Sequence, residues 1–215
     1  VTQLFPDGHI INLHPWEHNE VAPALAAALS TDVPIIALHL TRPPVEIPDR
    51  KLLGMSSHLD ASKGAYVIKD FDEKGEKKGV VIVRGTSSTN SIVNLLDILR
   101  KENLNVKIVA AISWELFKRQ SEEYQKTIIS DIEWLDSMIV TNGALRLMHK
   151  WIGGKIVEDY SMSPDFDNRW RTGGSVDEIV AESKIDSLSV LDGIKKFANE
   201  RDKRMAAINS SLPNA

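Results

Sequence analysis

Three prolines, Pro43, Pro44 and Pro48, stand within six residues of one another. Each lacks a backbone N–H and has a fixed φ, so neither a helix nor a central strand can run through this stretch. A long irregular stretch inside a compact domain is uncommon. Residues 42–62 are therefore read as a linker, with residues 1–41 in front and residues 63–215 behind.

The rear part carries the stronger pattern. GAYVIKD at residues 64–70 reads as a strand, and a charged turn follows it. GVVIVRG (79–85), VKIVAAI (106–112) and DSMIVTN (136–142) are apolar runs of strand length bounded by polar residues, the signature of strands buried on both faces. Between the first two, TSSTNSIVNLLDILRKENL places Ile92, Leu95, Leu96 and Leu99 at helical spacing, with Ser88 or Thr89 as its cap. SWELFKRQ, SEEYQKTII and GALRLMHKWIGG read as helices, KIVEDY as a fifth strand, and GSVDEIVAES and SLSVLDGIKKFANERDKRM as terminal helices, the last capped by Asp186. Strand–helix–strand steps cross right-handed into a parallel sheet. The expected fold class is α/β: three layers, helix/sheet/helix, around a mostly parallel sheet of about five strands.

The front part is shorter. Residues 1–12 show no clear period, VAPALAAALS reads as an Ala-rich helix, and PIIALHL (34–40) as a buried strand. One αβ unit leaves a sheet edge unpaired. Residues 1–41 are therefore expected to be disordered, displaced or packed on a neighbouring chain. The chain opens on Val1 rather than Met, and it is expected to be part of a larger chain or complex, either a segment of a longer chain or a separate subunit.

The composition excludes several classes. Lys and Arg number 26 against 30 Asp and Glu, a formal net charge of −4, so there is no basic excess for a nucleic-acid partner. No apolar run approaches the ~18 residues of a membrane span, so no membrane partner is expected, and no leader pattern stands at the N-terminus. With no cysteine, disulfides, thiolate nucleophiles and Cys-based zinc sites are excluded. This accords with a cytoplasmic protein.

Three segments could carry chemistry. HPWEHNE gathers His14, Glu17, His18 and Glu20, but Pro15 interrupts the histidine pair, and the plain reading is a loop entering a helix with Asn19 as its cap. No metal site is assigned. Gly85, Thr86, Ser87 and Ser88 join a strand to a helix N-terminus, where backbone N–H groups can hold an anion; the same residues suffice for a capped turn. Arg42 stands one residue beyond the strand PIIALHL, after Thr41, at the end where open α/β layers bind ligands, and its forked donors suit a phosphate; the alternative is an exposed linker arginine. No G-x-S-x-G elbow exists. Trp114, Phe117 and Trp134 sit at amphipathic spacings and are read as core or interface.

VKIVAAISWELFKRQSEEYQ (106–125) resembles the C-terminal domain of transketolases. KGAYVIKD is similar to that domain's opening strand, GVVIVRGTSSTNSIVNLLDILRKENLNVKIV to its first strand–helix–strand unit, LRLMHKWIGG to its Trp-containing helix and KIDSLSVLDGIKKF to its terminal helix. LFPDGHIINLHPWEHNEVAPALAAALSTDVPIIALHLTR resembles the end of the family's pyrimidine-binding domain. Pro43 stands where the family usually has Gln, Thr141 and Asn142 where an acidic residue is common, and no phenylalanine-glycine motif is recognisable near FDNRWRTGGS.

The resemblance implies the tail fragment of a pyrimidine-binding domain at 1–41 and a transketolase C-terminal domain at 63–215. It implies a transferase of the pentose phosphate pathway that moves two-carbon ketol units between sugar phosphates, using thiamine diphosphate and magnesium. It places Arg42 on the sugar phosphate. The partners it implies are the N-terminal cofactor-binding portion of the enzyme and a second copy in a homodimer. No catalytic residue is assigned to this chain, which is expected to bind no cofactor and to be inactive by itself. The alternatives are a non-catalytic regulatory module, or the equivalent domain of a 2-oxo-acid dehydrogenase or deoxyxylulose-phosphate synthase relative.

Overall fold

The computed structural model describes residues 2–41, 44–169, 171 and 173–211. The front part begins with a 3-10 turn at Thr2–Leu4, then strand β1 (Ile10–Leu13), a 3-10 turn at His18–Glu20, helix α1 (Val21–Leu29) and strand β2 (Ile35–Leu38). β1 and β2 form a two-stranded parallel sheet, Ile10 beside Ile35 and Leu13 beside Leu38. β1 is fully buried and escaped the sequence reading because it is only four residues long. β2 is half-exposed rather than buried.

The front part corrects the expectation of disorder or displacement. Ile11, Leu13, Trp16, Ala24 and Ala28 share one apolar core with Tyr66, Val83, Ile108 and Ile112 of the rear part. The His14 N–H donates to the Ile112 carbonyl at 2.8 Å. The front part therefore rests on this chain's own domain.

The described part of the presumed linker is also structured. α2 (Arg50–Leu53) is capped by Asp49, whose carboxylate accepts from the Leu52 N–H, and is closed by Gly54 at φ 69°. A 3-10 turn at His58–Lys63 leads into strand β3 (Ala65–Lys69).

Next come β4 (Val80–Arg84), α3 (Thr86–Val93), α4 (Leu96–Lys101), β5 (Lys107–Ala111), α5 (Trp114–Phe117), α6 (Glu122–Ile128), α7 (Asp131–Leu135) and β6 (Ser137–Thr141). The sheet order is β3-β5-β4-β6. β4 is parallel to both neighbours, and β3 runs antiparallel along β5. Every residue of β4, β5 and β6 is buried, as a doubly covered sheet requires. Alternation divides the side chains. Val81, Val83, Ile108 and Val140 face the helices of one layer. Val80, Ile82, Val109 and Ile139 face Phe117, Ile128, Met148 and Trp151. The Trp114 ring stacks edge-on against Trp134 and Trp151, at 5.4 and 5.1 Å between centroids, so these aromatics are core as read.

The chain closes with a 3-10 stretch at Leu145–Trp151, then α8 (Lys155–Tyr160), α9 (Val176–Glu182), α10 (Ser187–Asn199) and α11 (Arg201–Ser211). KIVEDY is thus a helix. Ile156, Val157 and Tyr160 fall on one helical face, and Val157 is fully buried. The expected fifth strand shrinks to a single bridge between Val140 and Met162. The helix expected after β4 is two helices, because the Leu95 N–H turns to the Ile92 carbonyl in a tighter i to i+3 bond. Asp186 caps α10 as expected, accepting from the Leu188 and Ser189 N–H groups.

Candidate functional site

β4 leads through α3 and α4 to β5 on one side. β5 leads through α5 to α7 to β6 on the other. The carboxyl end of β4 is therefore where the connections part, and ligands of open α/β sheets bind outside such an end. Arg84 and Gly85 stand there.

Gly85 has φ 97°, and a Cβ on it would lie 1.7 Å from Asn142 Oδ1; only glycine fits this turn. α3 starts at Thr86, earlier than read, so Ser88 and Thr89 lie inside it. Ser88 Oγ donates to the Arg84 carbonyl at 2.6 Å and Thr89 Oγ1 to the Gly85 carbonyl at 2.7 Å. These hydroxyls are therefore spent on backbone rather than on capping. Thr41 Oγ1 donates to Thr86 Oγ1 at 2.8 Å, which brings the end of the front part to the α3 N-terminus. A groove of about 360 Å³ runs here, lined by Thr41, Thr86, Ser87, Asn90, Asp177 and Asp186. Arg42, the residue read as a phosphate contact, lies outside the described residues.

HPWEHNE has a structural role. Glu17, not Asn19, caps the turn, accepting from the Asn19 N–H at 2.7 Å, and His18 is exposed. Arg50 donates through Nη2 to Glu17 Oε1 at 3.0 Å and to Glu20 Oε1 at 2.6 Å. Tyr66 donates its hydroxyl to Glu20 and accepts from Trp16 Nε1. Burial pushes the Glu20 carboxyl up, while bonds from Tyr66 and Arg50 pull it back. Sequence reasoning missed Arg50 because its partners lie 30 and 33 residues away. The available signal was a pair of acids beside a buried tryptophan, which require a cation.

On the opposite sheet face from α3, Arg84 reaches toward the 3-10 stretch, Nη1 donating to the Leu147 carbonyl at 3.2 Å. Burial pushes this guanidinium down to about 10, with Glu115 acting against the shift. Strand parity was the overlooked signal: Arg84 shares the face of Val80 and Ile82, so its side chain points inward. His14 stacks on His39 at 4.3 Å. Burial first, then Arg84, holds the His14 ring well below the usual histidine range.

Fold and edge together define a three-layer α/β domain on which a partial second sheet leans, with the β4 carboxyl end at their junction. Residues 64–160 match the family described as the transketolase-like TK C-terminal domain. The chain is 37% identical over 123 residues to transketolase 7 of Craterostigma plantagineum, a match covering 56% of this chain and 17% of that protein. It is 30% identical over 149 residues to the chloroplastic transketolase of Spinacia oleracea, covering 68% and 19%. The transketolase of Pichia stipitis in complex with sedoheptulose-7-phosphate superposes with a TM-score of 0.65 at 21% identity, over 94% of this chain and 26% of that one. The likeness to the transketolase C-terminal domain thus rests on residues 64–160, and the chain is similar in sequence to part of several transketolases. The matched stretch spans about a fifth of the curated relatives. No helix among the described residues is long and apolar enough to cross a membrane.

Proposed function

We propose that this chain is the C-terminal part of a transketolase-like, thiamine-diphosphate-dependent enzyme that transfers two-carbon ketol units between sugar phosphates. Its share is to brace the cofactor-bearing portion, to support a homodimer and to contact a sugar phosphate through Arg42. The observation that carries the reading is the packing of the front part. Its β1–α1–β2 unit rests on the rear domain through Trp16, Tyr66 and Arg50, with β2 half-exposed in its two-stranded sheet.

Thiamine diphosphate supplies a nucleophilic carbon, and the protein supplies geometry. Among the described residues no group of three or more His, Asp or Glu side chains could hold a metal ion. No step on the cofactor or its magnesium is assigned to these residues. Arg42→Met in the whole enzyme tests the substrate contact. It should raise KM for a phosphorylated ketose about tenfold or more, the worth of a charge-assisted hydrogen bond, and leave turnover of an unphosphorylated ketose unchanged. An equal loss with both substrates would remove Arg42 from the proposal.

A further inference from the structure

The polar cavity where β1, β4 and α5 meet is independent of the transketolase reading, and its chemistry is unspent. Arg84 is 7% exposed. Among the described residues its side chain makes one hydrogen bond, to the Leu147 carbonyl, and no carboxylate pairs with it. Glu115, the acid whose charge acts on it, is already engaged. It accepts from the Lys150 ammonium at 3.3 Å, from the Asn12 N–H at 3.2 Å and from Ser113 Oγ at 3.3 Å. Two further atoms of residues lining this space, His14 Nε2 and Gln3 Oε1, are buried without a partner.

Buried polar groups are almost always bonded, and unpaired ones in a shared space call for an occupant. Lys150 is paired with Glu115 and, outside the cavity, with Asp7, and burial holds the His14 ring well below the usual histidine range, which leaves the Arg84 guanidinium facing the cavity without a carboxylate of its own. The neutral His14 ring can present Nε2–H, and the Gln3 amide can present its N–H by a half turn. Donors then converge from Arg84, His14 and Gln3. The space measures about 20 Å³, room for one occupant of about water size.

We propose that this cavity is a binding site for one small monovalent anion of the halide class, which pins the front part to the rear domain by joining Arg84 of β4 to His14 beyond β1. A water would satisfy the hydrogen bonds and leave the Arg84 charge unanswered.

The test uses the full natural protein with chloride and bromide as probes. Crystals soaked in bromide should show an anomalous peak between Arg84 and His14. At constant ionic strength, replacing gluconate by chloride should raise Tm saturably. Arg84→Met should abolish that response, while Lys155→Met on exposed α8 should keep it. Should Arg84→Met fail to fold, His14→Ala carries the test, with chloride binding weakened about tenfold for one lost charge-assisted donor. A water at full occupancy with no anomalous signal, or the same Tm in chloride and gluconate, would overturn the proposal.

Discussion

Trp16 donates its indole N–H to the Tyr66 hydroxyl at 2.8 Å, across 50 residues of sequence. This bond ties the front part to the first strand of the rear domain. It sits in a closed set: Tyr66 donates onward to Glu20, and Arg50 bonds Glu17, Glu20 and Tyr66. The Arg50 guanidinium lies 5.5 and 5.4 Å from the Trp16 and Tyr66 ring centres. Each member is buried, so the set stabilises the join only while complete.

Arg50→Met should therefore destabilise strongly. It leaves Glu17 and Glu20, 3% and 0% exposed, without their cation, a loss of about 3–5 kcal/mol for a broken buried pair. Urea unfolding followed by tryptophan fluorescence measures it. A change within about 0.5 kcal/mol, the range of ordinary surface substitutions, would show that the clamp does not hold the two parts together.

At Gly85 the constraint is steric and conformational at once. Gly85→Ala should cost about 1–3 kcal/mol from its positive φ alone, with more from the clash against Asn142. Adding Asn142→Gly should recover the clash and leave the φ penalty. A thermal melt of Gly85→Ala coincident with wild type would refute this account of the β4–α3 turn.

Asp136, just before β6, accepts from Arg204 Nη2 and from Arg201 Nε, each at 2.8 Å. Arg204 is 1% exposed and also donates to the Lys78 carbonyl at 3.0 Å, which locks α11 under the start of β4. Arg204→Met should cost about 3–5 kcal/mol as a broken buried pair. Arg201→Met, whose side chain is more exposed, should cost about 1 kcal/mol or less. Equal losses in urea titrations would show that burial does not set the difference.

The His14 ring titrates lower in the folded chain than in the unfolded one. Unfolded, it takes a proton near its ordinary value of about 6.5; folded, it declines that proton. Stability is then full above about pH 6.5 and falls as pH drops toward the lowered folded value. Glu20, whose carboxyl is pushed up, acts in the opposite direction, so the comparison must be with a variant. Tm should fall between pH 7.5 and 5.5, and His14→Gln should shrink the fall. An unchanged fall would acquit His14.

The sheet was legible in sequence where burial on both faces writes long apolar runs, as in Val80–Arg84 and Ser137–Thr141. It was illegible where elements are short. Four residues of β1 carry no period, and six residues of α8 read equally as strand. Arg50 and Arg84 lay hidden for another reason: each is a charge whose role is set by residues distant in sequence. The segment around Arg50 read as linker because prolines forbid regular structure there, yet they do not forbid packing.

The most direct measurement is two-carbon transfer from a ketose phosphate to an aldose phosphate, with thiamine diphosphate and Mg²⁺ supplied. The account predicts turnover by the whole protein that contains this chain and none by the 215 residues alone. Turnover by these residues alone, or a whole protein with bound cofactor and no transfer, would contradict it.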